Sequence, residues 1–294
     1  MQLDSNILLI INPISGAIEK DGIVRTLNEA VKLQKLHIQS FVTSGQEDLV
    51  KLKKVLSKNE FQRIIVLGGD GTIKLAAEAI TDQVIPLGIL RGGSANGLAN
   101  NLKIPTALDA QIEVALGDTI ARLDRIRIND QFCLHISDLG INAELIKHYE
   151  ASNIRGAFGY FLQSIPTLLS CDYPFEFEIS LNGERFQKKG ILLAIANAQK
   201  FGTGATINPK GAVNDGNFEV VIFKSLDIIE ILKTLRDEVE LPPEFAEYYS
   251  TTEARIRCKE PVPFQIDGEY QGSVTNIHAT ICDTPLSIAI PATT

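Results

Sequence analysis

The chain has 294 residues and a mass of 32.2 kDa, a length that suits one large domain or two. Hydrophobic residues make up 45% of it and charged residues 22%, which excludes a wholly disordered chain. It has 28 Lys and Arg residues and 36 Asp and Glu residues, so the formal net charge is −8. This balance argues against a nucleic-acid-binding protein and against long-range attraction to an anionic membrane.

Neither the cysteines nor the histidines form a recognisable site. The four cysteines are far apart, include no CxxC pair and are typical of reduced thiols. The four histidines lack the spacing of zinc ligands. The first residues lack the signals of a secretory leader, and no apolar run approaches the length of about 18 residues that a membrane span needs. We therefore expect a cytoplasmic protein that touches a membrane at most peripherally.

The first 105 residues alternate strand and helix signals. Short apolar runs bounded by turn residues predict strands buried on both faces, and apolar residues three and four apart predict helices between them. The predicted strands cover residues 6–11, 38–43, 64–67 and 86–90, and the predicted helices cover 22–36, 49–56 and 72–80. This order predicts an α/β domain with a parallel sheet covered by helices.

The pattern changes near residues 108–117, which predict one more helix. Strand signals then dominate, punctuated by turn signals such as Asn182-Gly183 and Asp215-Gly216. The predicted strands cover residues 122–128, 132–137, 176–181, 190–198, 217–223, 253–259, 262–266 and 274–281, with helical stretches at 155–170 and 226–239. We therefore predict a first domain over 1–118 and a mainly antiparallel β domain over 119–294, whose C-terminal tail could pack back on the first domain.

Three glycine-bearing turns follow the first, third and fourth predicted strands, at residues 12–16, 68–72 and 91–97. The carboxyl ends of parallel strands meet at one edge, and each turn leads into a helix start whose free N–H groups favour an anion. The turns therefore predict a phosphate-binding rim, although each could be only a tight connection. Asp70 could orient phosphate or metal-bound water, or could cap a helix. The turns contain neither GxxxxGK[ST] nor a GxGxxG that opens the first helix.

The sequences of the three turns resemble those of a known protein family. NPISG, GGDGT and LGILRGGSANGLA, in this order, resemble the diacylglycerol kinase catalytic-domain family, which includes soluble bacterial lipid kinases and sphingosine kinases. The likeness continues through GINAEL, the long segment LLAIANAQKFGTGATINPKGAVNDGNFEVVIF and IDGE. GGDGT alone is less specific, because NAD kinases share it.

The resemblance implies a fold and a reaction. The fold is an α/β nucleotide-binding domain, similar to that of NAD kinases and diacylglycerol kinases, joined to a β-sandwich-like domain. The reaction is ATP- and Mg²⁺-dependent transfer of the γ-phosphate to a hydroxyl of diacylglycerol or a related lipid, with a sphingoid base as another acceptor. The implied partner is a lipid met by transient membrane contact, with a homodimer as an open possibility and no nucleic acid.

The resemblance also assigns roles to individual residues. Glu269 is identified as the general base, with Asp267 in the same turn. The metal site is formed by the Asp215 carboxylate and the backbone carbonyls of Ala212 and Asn217. The ATP-binding residues are Asn12, Thr43, Gly68, Gly69, Asp70, Gly71, Thr72, Ser94 and Asn96.

Three positions depart from the family pattern. Lys74 and Leu75 stand where members usually have Asn-Glu, and Arg91 stands in place of a proline. Lys74 and Arg91 could together bind phosphate, or both could be solvated. These departures favour one alternative, a catalytically impaired homologue that binds nucleotide or lipid.

A second alternative is an NAD kinase, which would use the same GGDGT turn, although NPISG and SANGLA argue against it. The apolar segment 157–169 could line a cleft for an acyl chain or belong to the core.

Overall fold

A computed structural model describes residues 6–16, 18–80, 84–150, 174–200, 206–225 and 241–292, together with residues 227, 230, 233 and 234. The chain divides into two compact units. The first unit contains the residues up to Leu123 and those from Thr284 onwards, and the second contains Asp124–Asp283. The C-terminal segment thus counts with the first unit. The predicted helical stretch 155–170, the apolar segment 157–169, most of 226–239 and Cys171 lie outside the described residues.

The first unit is built on a six-stranded sheet with the strand order β2-β1-β3-β4-β16-β5. The strands are β1 (Asn6–Ile11), β2 (His37–Val42), β3 (Arg63–Gly68), β4 (Leu87–Arg91), β5 (Ile120–Leu123) and β16 (Leu286–Ala289). The helices are α1 (Asp21–Leu33), α2 (Asp48–Lys58), α3 (Asp70–Ala79), α4 (Gly97–Asn101) and α5 (Leu108–Leu116). Strands β1 to β4 are parallel, as are β4 and β16, which confirms the predicted α/β architecture.

The inner strands β1, β3 and β4 are largely apolar because both faces are covered, whereas β2 at the sheet edge (HIQSFV) has no buried residue. In β1, every residue from Ile7 to Ile10 is at most 2% exposed. Ile7 and Leu9 share a core cluster with apolar residues of α1 and α5, which leaves the alternate residues of β1 for the opposite face. A continuous apolar run is what a parallel strand covered on both faces requires.

The described part of the second unit is built on an antiparallel sheet and includes the helix α6 (Ile141–Glu150). The strands are β6 (Ile126–Ile128), β7 (Gln131–Cys133), β8 (Ile136–Gly140), β9 (Phe175–Leu181), β10 (Glu184–Gly190), β11 (Leu192–Ala196), β12 (Phe218–Phe223), β13 (Ala246–Thr251), β14 (Glu253–Ile266) and β15 (Glu269–Ile281). The main path is β13-β12-β11-β8-β14-β15-β6-β7, and β9 pairs with both β14 and β10. The predicted antiparallel β class of this part of the chain is confirmed.

Three predicted strand boundaries were wrong. The predicted strand 122–128 ends at Leu123 and resumes as β6 in the other sheet, and the predicted strand 132–137 breaks after Cys133. The segments 253–259 and 262–266 form the single strand β14, with a bulge between Arg257 and Val262. The two breaks escape a local pattern because hydrogen bonds from distant segments fix them, as the site described below shows.

The central strand β8 carries a fully buried carboxyl group. Asp138 Oδ2 accepts hydrogen bonds from Gln265 Nε2 at 2.5 Å and from Asn142 Nδ2 at 2.7 Å. Its Oδ1 is buried and, among the described residues, has no hydrogen-bond partner of normal geometry. Burial raises the pKa of Asp138 to about 7, although the amides of Asn142, Gln265 and Ala143 act to lower it. This carboxyl group is therefore partly protonated near neutral pH.

We expect Asp138→Asn to alter the pH dependence of stability. The pKa of Asp138 is about 7 in the folded chain and 3.8 in the unfolded one. Between these pH values the folded chain therefore keeps a proton that the unfolded chain has lost. The free energy of unfolding should then fall as the pH rises from about 4 to 7. At pH 8 the variant should melt at least about 2 °C higher than the native chain, and this difference should shrink as the pH falls towards 4.

Thermal unfolding followed by circular dichroism between pH 5 and pH 8.5 would measure this. The control is Asp130→Asn, which removes an exposed carboxylate in the turn between β6 and β7. Parallel pH curves for the native chain and Asp138→Asn would contradict the assignment.

Candidate active site

The three glycine-bearing turns of the first unit lie together at the carboxyl edge of the sheet. The Asn12 amide donates to the Leu67 carbonyl at 3.1 Å, and Asn12 Nδ2 donates to Thr72 Oγ1 at 3.3 Å. Ser15 Oγ donates to the Gly92 carbonyl at 2.9 Å. The turn after β1 therefore contacts both the turn after β3 and the turn after β4. We call residues 12–16, 68–72 and 91–97 the glycine rim.

The turns of the glycine rim pack backbone against backbone. A Cβ atom on Gly93 would lie 2.4 Å from the Gly69 Cα, which is closer than any side chain tolerates. Gly16 has φ +60, and a Cβ there would lie 2.7 Å from the Gly92 carbonyl oxygen. Glycine is required at both places, and the resulting surface lets a ligand approach the main chain closely.

Asp70 of the GGDGT motif caps a helix other than its own. It begins α3, yet its Oδ2 accepts from the Gly97 amide at 2.8 Å and its Oδ1 from the Leu98 amide at 2.9 Å. Both amides belong to the start of α4. Of the roles that the sequence left open, the geometry supports capping, because both oxygens are occupied by backbone donors.

The other predicted nucleotide-binding residues of this unit follow the same edge. The Thr43 amide donates to the Ile11 carbonyl at 2.9 Å, which places Thr43 where β1 and β2 end. Asn96 has φ +52, and its side chain both accepts from and donates to the Gly93 backbone. Ser94 is exposed, whereas Thr72 is only 4% exposed. Asn96 and Thr72 thus hold the rim, and Ser94 stands at its surface.

The contacts of Arg91 do not support the phosphate-binding role that the sequence suggested. Its Nη1 donates to the Ile104 carbonyl at 3.0 Å, and its second terminal nitrogen contacts Asn100 Oδ1. Its backbone amide donates to Gln111 Oε1 at 2.9 Å. Lys74 is 6% exposed on α3. Arg91 therefore anchors α4 and the segment after it, which argues against a phosphate site shared by the two cations.

In the second unit, the predicted base lies on a tight hairpin turn. Ile266 of β14 pairs with Glu269 of β15, and Asp267 and Gly268 between them have φ +52 and +87. Two central residues with positive φ are typical of the two-residue turns that close hairpins. The Asp267 carboxylate accepts from the Leu134 amide at 3.1 Å and the His135 amide at 2.9 Å. Asp267 therefore serves the backbone, while Glu269 is exposed.

The predicted metal turn lies beside a second carboxylate that the sequence analysis missed. Asp124 Oδ2 accepts from the Gly216 amide at 2.7 Å, and the Asp124 amide donates to the Val213 carbonyl at 2.7 Å. Asp215 Oδ1 accepts from the Asn217 amide at 3.0 Å. Burial raises the pKa of Asp124, and the charge of Asp215 raises it further against the lowering effect of backbone amides. The sequence signal for Asp124 was the pair Asp124-Arg125, two charged residues that interrupt the predicted strand 122–128.

The buried amide of Asn197 connects the two turns of the second unit. Asn197 Nδ2 donates to the Asp124 carbonyl at 2.8 Å and to the Leu134 carbonyl at 3.1 Å. Leu134 is in turn bound by the Asp267 carboxylate, and Asp124 is bound to Gly216. One hydrogen-bond network therefore joins the turn that carries Glu269 to the turn that carries Asp215. Asn197 was recognisable as the one polar residue in the run LLAIANA.

In the described part of the chain, no group of three or more His, Cys, Asp or Glu side chains gathers to hold a metal ion. No described helix is long and apolar enough to cross a membrane.

Two family models match the chain. A model of the diacylglycerol kinase catalytic domain matches residues 6–128, and a model of the YegS C-terminal NAD kinase beta sandwich-like domain matches residues 136–289. A probable lipid kinase YegS of Escherichia coli O127:H6 (strain E2348/69 / EPEC) is 28% identical over 276 residues, covering 90% of this chain and 91% of the relative.

Solved structures share the fold. A putative diacylglycerol kinase from Bacillus anthracis str. Sterne has a TM-score of 0.81 at 18% identity, covering 99% of this chain and 97% of that one. An NAD kinase from Archaeoglobus fulgidus in complex with ATP has a TM-score of 0.53 at 14% identity, covering 96% and 93%. The two family models together span nearly all of the chain, so it belongs to the diacylglycerol kinase family and is a kinase.

Proposed function

We propose that this chain is a lipid kinase that transfers the γ-phosphate of ATP to a hydroxyl of diacylglycerol or a related lipid. The observation that carries the proposal is the glycine rim, where three backbone turns pack without side chains between them. Membership of the diacylglycerol kinase family and the name of the Escherichia coli relative, a probable lipid kinase, support the lipid acceptor. The NAD kinase structure has a lower TM-score, 0.53 against 0.81, and gives less support to a dinucleotide acceptor.

Backbone amides of the glycine rim are the proposed phosphate ligands. The amides of Thr72 and Ile73 reach back to the Gly69 carbonyl, at 3.0 and 3.1 Å. The amides of Asp70 and Gly71 at the start of α3 then remain for an anion, with the helix dipole in their favour. Phosphoryl transfer depends chiefly on such positioning and on charge stabilisation. In this mechanism the rim orients the phosphates, and the exposed hydroxyl of Ser94 can add a contact.

Glu269 is the proposed general base. It is exposed at the start of β15, where it can accept the proton of a lipid hydroxyl as the bond to phosphorus forms. The turn is held on two sides, since Asp267 binds two amides and Gln265 Oε1 accepts from the Gly268 amide at 2.7 Å. Because the turn is already fixed, the backbone of Glu269 needs little further ordering when the lipid binds, which favours proton transfer.

The donors around Asp215 fit a hard divalent cation. The Asp215 carboxylate and the carbonyls of Ala212 and Asn217 are all oxygen donors, which Mg²⁺ prefers. The neighbouring Asp124 carboxyl has a pKa that the charge of Asp215 helps to raise, and a cation would relieve this repulsion. Bound Mg²⁺ would neutralise part of the negative charge of the phosphates. Asp215 would hold the ion directly, and Asp124 would fix the turn through Gly216.

We expect Glu269→Gln to abolish most transfer, because the amide cannot accept a proton. Loss of a general base typically costs about 10²–10⁴-fold in rate, and here ATP affinity should change little. The assay is radiolabel transfer from ATP to diacylglycerol in mixed micelles. Glu260→Gln, an exposed acid elsewhere on β14, is the control.

Equal labelling by the native chain and Glu269→Gln would show that Glu269 is not the base. ATP binding without any transfer by the native chain, at every Mg²⁺ concentration, would instead support the impaired homologue.

Asp215→Asn should raise the Mg²⁺ concentration needed for half-maximal activity. Replacing the charged donor by an amide weakens the site, and we expect a shift of about tenfold or more with little change in the KM for lipid. Mg²⁺ titrations of initial rate would measure the shift, with Asp130→Asn as the control. An unchanged titration curve would place the metal elsewhere.

Asp70→Asn should lower stability and ATP affinity together. An amide can accept from only one of the two α4 amides that the carboxylate holds, and one unsatisfied buried donor costs about 1–3 kcal/mol. Denaturant unfolding and ATP titration would be compared for the variant and the native chain. Lost ATP binding at unchanged stability would mean that the carboxylate acts on the nucleotide directly.

A further inference from the structure

A groove of about 340 Å³ lies on the exposed face of β9, β10, β14 and β15 in the second unit. It is lined by side chains that project from four neighbouring strands, over the buried residues Ile256 and Ile277. We call it the arginine groove after its cations. Its principal polar residues are Ser180, Arg185, Arg255, Arg257, Asn276 and His278.

Sheet register places four of these residues in one row. Arg185 pairs with Ser180, Ser180 pairs with Arg255, and Arg255 pairs with His278. Residues directly opposite one another project from the same face of a sheet. Neighbouring strands are about 4.8 Å apart, so the two arginines start roughly 10 Å apart with the serine hydroxyl between them. Two guanidinium groups can therefore converge on an anion above Ser180.

The groove has an excess of positive charge. Arg185 forms an ion pair with Glu178, and Arg255 forms one with Glu253 at 3.0 Å. Arg257 is directed by a hydrogen bond of 3.4 Å to Asn276 Oδ1 and, among the described residues, makes no ion pair. Three guanidinium groups thus stand against two carboxylates, Glu178 in the groove lining and Glu253 beside it, which contacts both Arg255 and His278. On a chain with net charge −8, this local balance favours an anionic ligand.

The ligand that fits these donors is a phosphate group. Guanidinium groups bind phosphate oxygens through paired N–H donors, and a serine hydroxyl can donate to a third oxygen. The groove volume is at the lower end of the range for small-molecule sites, about 300–1,000 Å³, which suits a phosphate with a small substituent. Glu178 competes with such a ligand for Arg185, so binding must exchange one partner for the other.

The arginine groove lies far from the turn that carries Glu269. Its residues on β15 are Asn276 and His278, and its residues on β14 are paired with these. At about 3.3 Å per residue, the strand from Glu269 to Asn276 spans roughly 23 Å. A ligand of a few ångströms cannot reach from one to the other, so a phosphate in the groove would not be a reacting group.

We propose that the arginine groove is a binding site for a phosphate monoester, carried either by an anionic phospholipid headgroup or by a small soluble compound. The proposal stands whether or not the chain phosphorylates a lipid. It predicts that Arg255 and Arg257 contribute to binding together and that Glu178 opposes it.

Two probes distinguish the sources: glycerol 3-phosphate, measured by calorimetry, and vesicles of phosphatidylcholine with or without phosphatidic acid, measured by co-sedimentation. The double substitution Arg255→Gln, Arg257→Gln should weaken binding of the recognised probe at least tenfold. The matched control, Lys53→Gln with Lys54→Gln, makes the same charge change on exposed positions of α2 and should stay within twofold. Glu178→Gln should strengthen binding severalfold. Circular dichroism would verify that each variant is folded.

Loss of glycerol 3-phosphate binding in the arginine variant alone would support a site for a soluble phosphate. Loss of binding to phosphatidic acid vesicles alone would support a headgroup site. Equal weakening by the lysine control would overturn the proposal in favour of general electrostatic attraction. Failure of the native chain to bind either probe would overturn it as well.

Discussion

Direct contact between two main-chain segments organises the first unit. The turns after β3 and β4 approach so closely that a Cβ atom on Gly93 would lie 2.4 Å from the Gly69 Cα, and one on Gly69 would lie 3.0 Å from the Gly93 Cα. The Gly92 amide donates to the Gly68 carbonyl at 2.9 Å, which extends the strand pairing into the turns. Because the two turns are joined in this way, Asp70 reaches the start of α4. The positions of α3 and α4 at the sheet edge follow from that contact.

The second unit uses a different device, since buried or half-buried polar side chains there hold the ends of strands. Asp267 binds the backbone between β7 and β8, and Asn197 links this segment to Asp124. Such groups are stable in an apolar interior only when they are hydrogen-bonded, so each one constrains its partners. Glu269 and Asp215 are exposed on the framework that results.

Local patterns predicted β1 to β4, three of which are largely apolar, and predicted the helices between them from apolar stripes. The same patterns missed the short strand β16 of that sheet, and they missed β10 and β13, whose sequences ERFQKKG and AEYYST mix charge or hydroxyl groups with few apolar residues. They also missed the strand breaks after Leu123 and Cys133. Those breaks depend on hydrogen bonds from Val213 and Asp267, which are far away along the chain.

The motifs predicted where the turns of the candidate site lie, and the roles of their residues stay predictions. The glycine rim and the turn of Glu269 could be located because both depend on local glycine and turn chemistry. The side-chain partners of Asp70 and Arg91 were not predictable from the motifs, because they lie on α4 and beyond it.

Strand β16 has a consequence for how the polypeptide acquires its shape during synthesis. It pairs with β4 on one side and β5 on the other, although all residues of the second unit separate it from them in the chain. Until β16 has left the ribosome, β4 and β5 lack the neighbour that satisfies their facing amides and carbonyls. An unpaired strand edge attracts other chains. The nascent protein therefore carries an open, association-prone edge while the whole second unit is being synthesised.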